Sequence, residues 1–170
     1  MRKIYNSVGL ISEWSARFAI WLIVALIISI CYDVFMRYFF NAPTTWSYIF
    51  SYMLGACLSA LGLGYVHKHS GNVRVDIVYT RFSPKVRTLI NIFFAVVFFF
   101  PLYGYLAYLF GVYTWEAFLM KRTAVESAWY PVVWPYVTVV TFGFCVLVLQ
   151  GVAIFLKDII TLSRAGKEPW

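Results

Sequence analysis

Thr88–Trp115 reads TLINIFFAVVFFFPLYGYLAYLFGVYTW, a run with no Asp, Glu, Lys, Arg or His. A bilayer core roughly 30 Å thick is crossed by about 20 apolar residues in a helix, so this run is long enough to span it. In hydrocarbon each backbone N–H and C=O must be satisfied within the segment, which selects a helix. Three further stretches lack the same five residue types: Phe18–Tyr32, Tyr38–Val66 and Val132–Leu156. The alternating pattern of a membrane barrel is absent. The expected fold is therefore an all-α polytopic membrane protein, a single membrane domain over residues 1–170. Its four transmembrane helices are placed at about 18–40, 45–66, 84–115 and 132–156, with a short amphipathic helix before the first.

Composition excludes other classes. The chain is 62% hydrophobic and 12% charged, against about 25% charged for soluble domains. Four spans and their connectors use up the 170 residues, leaving no room for a separate soluble domain. The net charge of +7 lies beside the spans, where basic residues set orientation and meet lipid headgroups. Membrane lipids, and not nucleic acid, are the partners this charge implies. Arg2, Lys3, Arg17, Lys68, Arg74, Arg81, Lys85, Arg87, Lys157, Arg164 and Lys167 fall on one side, and Arg37, Lys121 and Arg122 on the other. By the positive-inside rule both termini and the 67–87 connector are expected in the cytoplasm. No cleavage pattern follows the first apolar run, so an uncleaved anchor is expected there.

The edges of the runs carry the remaining local signals. Ile4, Val8, Ile11 and Phe18, with Trp14 close by, form an apolar stripe, from which a separate interfacial helix over 3–17 is expected. Asp33 and Arg37 are spaced i,i+4 and are expected to pair at the outer end of the first span, leaving Arg37 free to meet a partner. Asn41-Ala42-Pro43 makes the turn. In the second span Ser51, Gly55 and Ser59 form one small-residue stripe, and Ala56, Ala60 and Gly64 another. Such stripes let helices approach closely, so this helix is either central or an interface with another subunit. Ser83-Pro84 is a helix start, and Pro101 is expected to kink the helix that follows.

Candidate chemistry is sparse. Cys31, Cys57 and Cys145 each sit alone in a span and read as small buried apolar residues. A quinone-linked disulfide oxidase requires paired cysteines. His67 and His69, at i,i+2 in a connector, do not share a helix face as metal or haem ligands would. No catalytic residue, metal or cofactor is expected. A stand-alone membrane enzyme of the glutathione-transferase type, recruiting Arg37, Arg74 and Glu126, is an alternative. So is a small exporter, although that calls for an intramembrane carboxylate.

Several spaced residues together resemble a known family. They are Arg37-Tyr38-Phe39-Phe40-Asn41-Ala42-Pro43, Trp46, Gly71-Asn72-Val73-Arg74-Val75-Asp76, Glu126-Ser127, Pro131, Pro135, Gly143 and Gln150-Gly151. Over about residues 30 to 156 the chain resembles the small membrane subunit, DctQ-like, of TRAP (tripartite ATP-independent periplasmic) transporters. The late Glu-Ser to Gln-Gly run is similar to the branch associated with oxo acids and related carboxylates. The resemblance implies a small permease subunit in a bacterial inner membrane, taking part in sodium-driven uptake of organic acids. Its partners would be a large multi-span TRAP membrane subunit, which it scaffolds, and a periplasmic substrate-binding protein, which it helps to dock. Arg37, Asn41, Trp46, Ser51, Gly55, Ser59, Arg74, Asp76, Glu126, Ser127 and Gln150 are the candidate partner-interface residues. Two departures from the family pattern stand out. Ser47, Tyr48 and Ile49 follow Trp46 where relatives often carry acidic residues, and Asn72 replaces a His.

Overall fold

The computed structural model describes residues 2–69, 83–124 and 129–165. The described residues are almost entirely helical. Four helices are long and apolar enough to cross a membrane: Gly9–Phe40, Ser47–Lys68, Val86–Leu119 and Trp134–Ile160.

The first helix, α1, runs from Arg2 to Phe40 without a break. Its 39 residues extend about 58 Å. The separate interfacial helix expected over 3–17 is therefore not a separate element. No proline interrupts that segment, and Gly9 serves another purpose: a Cβ there would meet the Lys68 side chain at 2.7 Å. Ser12, Ser15 and Ala19 are buried in the bundle, whereas Ile11, Trp14 and Phe18 are exposed. Ile11, Trp14 and Phe18 of the apolar stripe thus face outward and small residues face the neighbouring helices. Lipid tails are as apolar as leucine, so membrane helices associate through small, closely fitting residues.

The second helix, α2 (Ser47–Lys68), is central. It packs on α1 and on the last helix, α5 (Trp134–Ala165), which touches every other span. A Cβ at Gly143 would stand 2.6 Å from the backbone carbon and oxygen of Ala60, and one at Gly64 would stand 2.9 Å from Val146 Cγ1. Gly55 faces Leu26 of α1. Both small-residue stripes of α2 are thus largely consumed within this chain. Ser59 alone among Ser51, Gly55 and Ser59 remains exposed. Cys57, Ala60 and Val140 form the centre of the core, with Leu22, Phe110 and Phe144 against it.

The third span is built from α3 (Pro84–Phe94), a π-turn over Ala95–Phe99, and α4 (Phe100–Leu119). Ser83 caps α3 by accepting from the Val86 N–H, with Pro84 in the first turn, as its sequence indicates. Just ahead of Pro101, where a kink is expected, the structure has a π-turn in which the Phe100 N–H reaches back to the Ala95 carbonyl. Proline has no N–H, and its ring crowds the carbonyl four residues earlier; a widened turn relieves both. This span leans principally on α5, through stacked Phe110 and Phe144 and a 2.8 Å bond between the Thr114 and Thr141 hydroxyls.

Of the three cysteines only Cys57 is buried, with its Sγ 3.7 Å from the Tyr136 carbonyl. Cys31 and Cys145 are exposed, which corrects the expectation that all three are interior. They stand on helix flanks that meet hydrocarbon, where a small apolar thiol is equally at home.

Candidate functional site

Two polar clamps fasten α1, one to the end of α2 and the other to the turn that leads into α2. At the first, Lys68 Nζ lies 2.6 Å from Glu13 Oε1 and donates to the Gly9 carbonyl at 3.2 Å. At the second, Asp33 accepts from Arg37 at 2.7 Å and from both the backbone N–H and the hydroxyl of Thr44. The Asp33–Arg37 pair is the one its i,i+4 spacing indicates, and Thr44 extends it across the turn. Glu13 and Asp33 are twenty residues apart on one helix, about 30 Å of rise, which matches the hydrocarbon core. Between them on α1 the one charge is Arg17, which is exposed with its guanidinium 5.8 Å from the Trp14 ring centroid. The clamps therefore mark the two edges of the apolar slab.

The turn between α1 and α2 is rigidly built. Asn41 takes a positive φ of 52°, a conformation asparagine tolerates better than most side chains. The Ala42 N–H returns to the Met36 carbonyl at 3.2 Å, satisfying an end of the helix. Trp46 stacks on Tyr32 with centroids 5.8 Å apart and meets Phe50 edge-on. Behind it the Ser47 hydroxyl donates to the Ser29 carbonyl at 3.1 Å, and Ser29 Oγ lies 3.4 Å from Ser51 Oγ. Asn41, Trp46 and Ser51 thus hold the turn together, while the Arg37 side chain projects from it, 59% exposed.

The connector after α4 is anchored at both of its described ends. Lys121 takes a positive φ of 46°, and Thr123 pairs with Val132 in an antiparallel bridge. Ala124 N–H donates to the Pro131 carbonyl, and Val133 N–H to the Arg122 carbonyl. Arg122 reaches Glu116 at 3.2 Å and lies 5.6 Å from the Tyr113 ring centroid. Glu126 and Ser127 lie outside the described residues, as do Arg74 and Asp76.

Gln150 is placed unlike the other candidates. It is fully buried on α5, and neither amide atom has a hydrogen-bond partner; the same holds for Ser12 Oγ. Beside it, Gly151 leaves room for the Phe99 ring, with which a Cβ would collide. His67 stacks on that ring at 4.7 Å, and His69 packs on Tyr65 at 4.4 Å. Among the described residues no three His, Cys, Asp or Glu side chains group as metal ligands would. The Lys68–Glu13 clamp has no local sequence signal, because its members are 55 residues apart. Gly151 was visible only as part of a motif.

These features define a class: a four-span helical membrane component, clamped at both membrane edges, whose hydroxyl pairs close on one another. Residues 26–161 match the family model described as "Tripartite ATP-independent periplasmic transporters, DctQ component". The match covers well over half of the chain, and the chain belongs to this family. It is the small permease component of a TRAP transporter and not an enzyme, which removes the glutathione-transferase alternative. It is a multi-pass inner-membrane protein. The family works with a large membrane subunit and a periplasmic binding protein. Comparison with curated proteins gives no match.

Proposed function

We propose that this subunit is the fixed frame of the permease: it holds the large subunit at a set depth in the bilayer and presents a periplasmic platform to the binding protein. The observation that carries this reading is the pair of clamps about 30 Å apart, one tying α1 to α2 and the other tying α1 to the turn between them, which together brace the α1–α2 pair across the hydrocarbon. Helices fastened to one another near both edges of the slab resist sliding past each other, as a frame must. The termini and the Lys68 end are cytoplasmic on this reading, in keeping with the excess of Lys and Arg there. Arg37, the exposed Ser59 and the outer connector with Glu126 and Ser127 are the partner contacts, and Arg74 and Asp76 hold the cytoplasmic connector. The transported class is organic acids, moved with a coupling ion through the large subunit.

The test is to express a tagged copy together with its chromosomal neighbours and purify it in mild detergent. A larger multi-span protein should co-purify in fixed ratio. Recovery of this chain alone, under conditions where it stays folded, refutes the frame. Reporter fusions at residue 170 test orientation separately; activity of a periplasmic reporter there overturns the cytoplasmic assignment.

A further inference from the structure

Arg17 is the one charge on α1 between the two clamps, and it is exposed on the outer flank of the bundle. Glu13, one turn earlier, is spaced to pair with it, yet the Glu13 carboxylate turns to Lys68 at 2.6 Å. Among the described residues no carboxylate pairs with Arg17. Its guanidinium lies instead 5.8 Å from the Trp14 ring centroid. Trp14 is itself exposed, and among the described residues its indole N–H has no acceptor.

Depth gives these free donors their meaning. Arg17 leaves the helix four residues past Glu13, about 6 Å inside the edge of the apolar slab. A guanidinium left in hydrocarbon is costly, so long cationic side chains run towards the nearer headgroups. Trp14 lies three residues back towards that edge, and the Arg17 side chain takes this direction. The donors therefore gather where lipid phosphates begin, the level at which tryptophan also settles.

The neighbouring residues decide between a lipid acceptor and a protein one. Phe18 and Trp21 continue the face at i+4 and i+7 from Trp14, and both are exposed. Helices that dock on one another in a membrane do so through small residues. The small residues here, Ser12, Ser15 and Ala19, are already turned into the bundle. A bulky aromatic face with a cation at its headgroup end suits a lipid. Its rings lie along an acyl chain, and the guanidinium fork matches two oxygens of a phosphodiester. Lys68 and Glu13 neutralise each other, so Arg17 leaves this end of α1 with a surplus positive charge.

We infer that Trp14 and Arg17 hold the phosphodiester of one phospholipid in the leaflet at the Lys68 end, with an acyl chain along Phe18 and Trp21. The inference rests on the membrane placement of α1 and not on the frame reading, so the two fail separately.

The test uses the full chain with whatever co-purifies with it. After delipidation it is titrated in parallel with phosphatidylglycerol and with diacylglycerol of the same acyl chains, and bound lipid is counted by native mass spectrometry. The first phosphatidylglycerol should bind about tenfold more tightly than the first diacylglycerol, or better, as one charge-assisted pair provides. Arg17→Gln should remove most of that difference. Arg17→Lys, which keeps the charge and loses the fork, should fall between. Arg17 bonds to no other helix among the described residues, so the three proteins should melt alike without lipid. A map of the permease in phosphatidylglycerol nanodiscs should show a phosphate beside Arg17 and Trp14. An undiminished difference in Arg17→Gln, or a carboxylate of the large subunit seated on Arg17 in that map, would overturn the assignment.

Discussion

Gly143 is where two helix backbones come closest, and replacing it tests whether α2 is gripped by α5 as described. An alanine Cβ there would stand 2.6 Å from Ala60 C and O and 2.9 Å from Ala60 Cβ. Ordinary carbon contacts lie at about 3.5–4.0 Å, so the helices must separate by roughly 1 Å. Backbone atoms cannot rotate aside as a side chain can. The cost should therefore sit at the upper end of the overpacking range, about 3 kcal/mol. Alanine recovers about 1 kcal/mol of helix propensity over glycine, leaving a net loss near 2 kcal/mol. Gly111 is the control, because its Cβ position has nothing within 4 Å. Gly111→Ala should gain up to about 1 kcal/mol, so the two variants should differ by about 3 kcal/mol. Unfolding by SDS titration in mixed micelles measures that difference. Equal midpoints for Gly143→Ala and Gly111→Ala would refute the close packing of α2 on α5.

The two clamps make different predictions. Asp33→Ala should lower the melting temperature more than Arg37→Ala, because it strands the Thr44 N–H as well as Arg37, whereas Arg37→Ala removes only an exposed pairing. Thermal melts in detergent rank the pair, and the reverse order would contradict the geometry. At the other end Lys68→Met should lower the melting temperature, and the exchange Glu13→Lys with Lys68→Glu should restore part of it; a swap no better than the single variants would show that charge pairing is not what joins these helices. Gln150→Met, replacing a buried amide without a partner, should leave the subunit unchanged or stabilise it by about 1–3 kcal/mol. A marked loss of stability, read by the same melts, would mean that the amide is satisfied in the native protein.

What could be read from the residues was whatever is local. The four spans, the Ser83–Pro84 helix start and the Asp33–Arg37 pair follow from runs and spacings of a few residues. Small-residue stripes on α2 showed that it packs closely, but a stripe does not say which helix lies against it. Here Gly64 meets Val146 and Ser12, while Gly55 meets Leu26, so most of that surface is spent inside the chain. The stripe over residues 3–17 misled for a related reason. Amphipathic periodicity signals an apolar face turned away from water, and in a bilayer that face turns to lipid while serines pack inward. The Glu13–Lys68 clamp, and the ring of Phe99 over Gly151, join residues far apart in the chain and leave no periodic trace.

The third span poses a question that its own contacts do not answer. No residue in the most apolar window of Val86–Leu119 is buried, yet this is the longest of the four candidate spans. It is held along one side, by Phe110 on Phe144, Thr114 on Thr141 and Phe100 on Phe155. In water such a rod would expose a ruinous apolar area; in hydrocarbon that exposure costs nothing, and the rod is retained by the fit of a few rings and hydroxyls. A rod fastened along one line can pivot about it. Phe99, in the π-turn, passes over Gly151 of α5 and stacks on His67 of α2, which adds a second point of attachment outside that line. The widened turn therefore ties the loosest helix to the clamped pair.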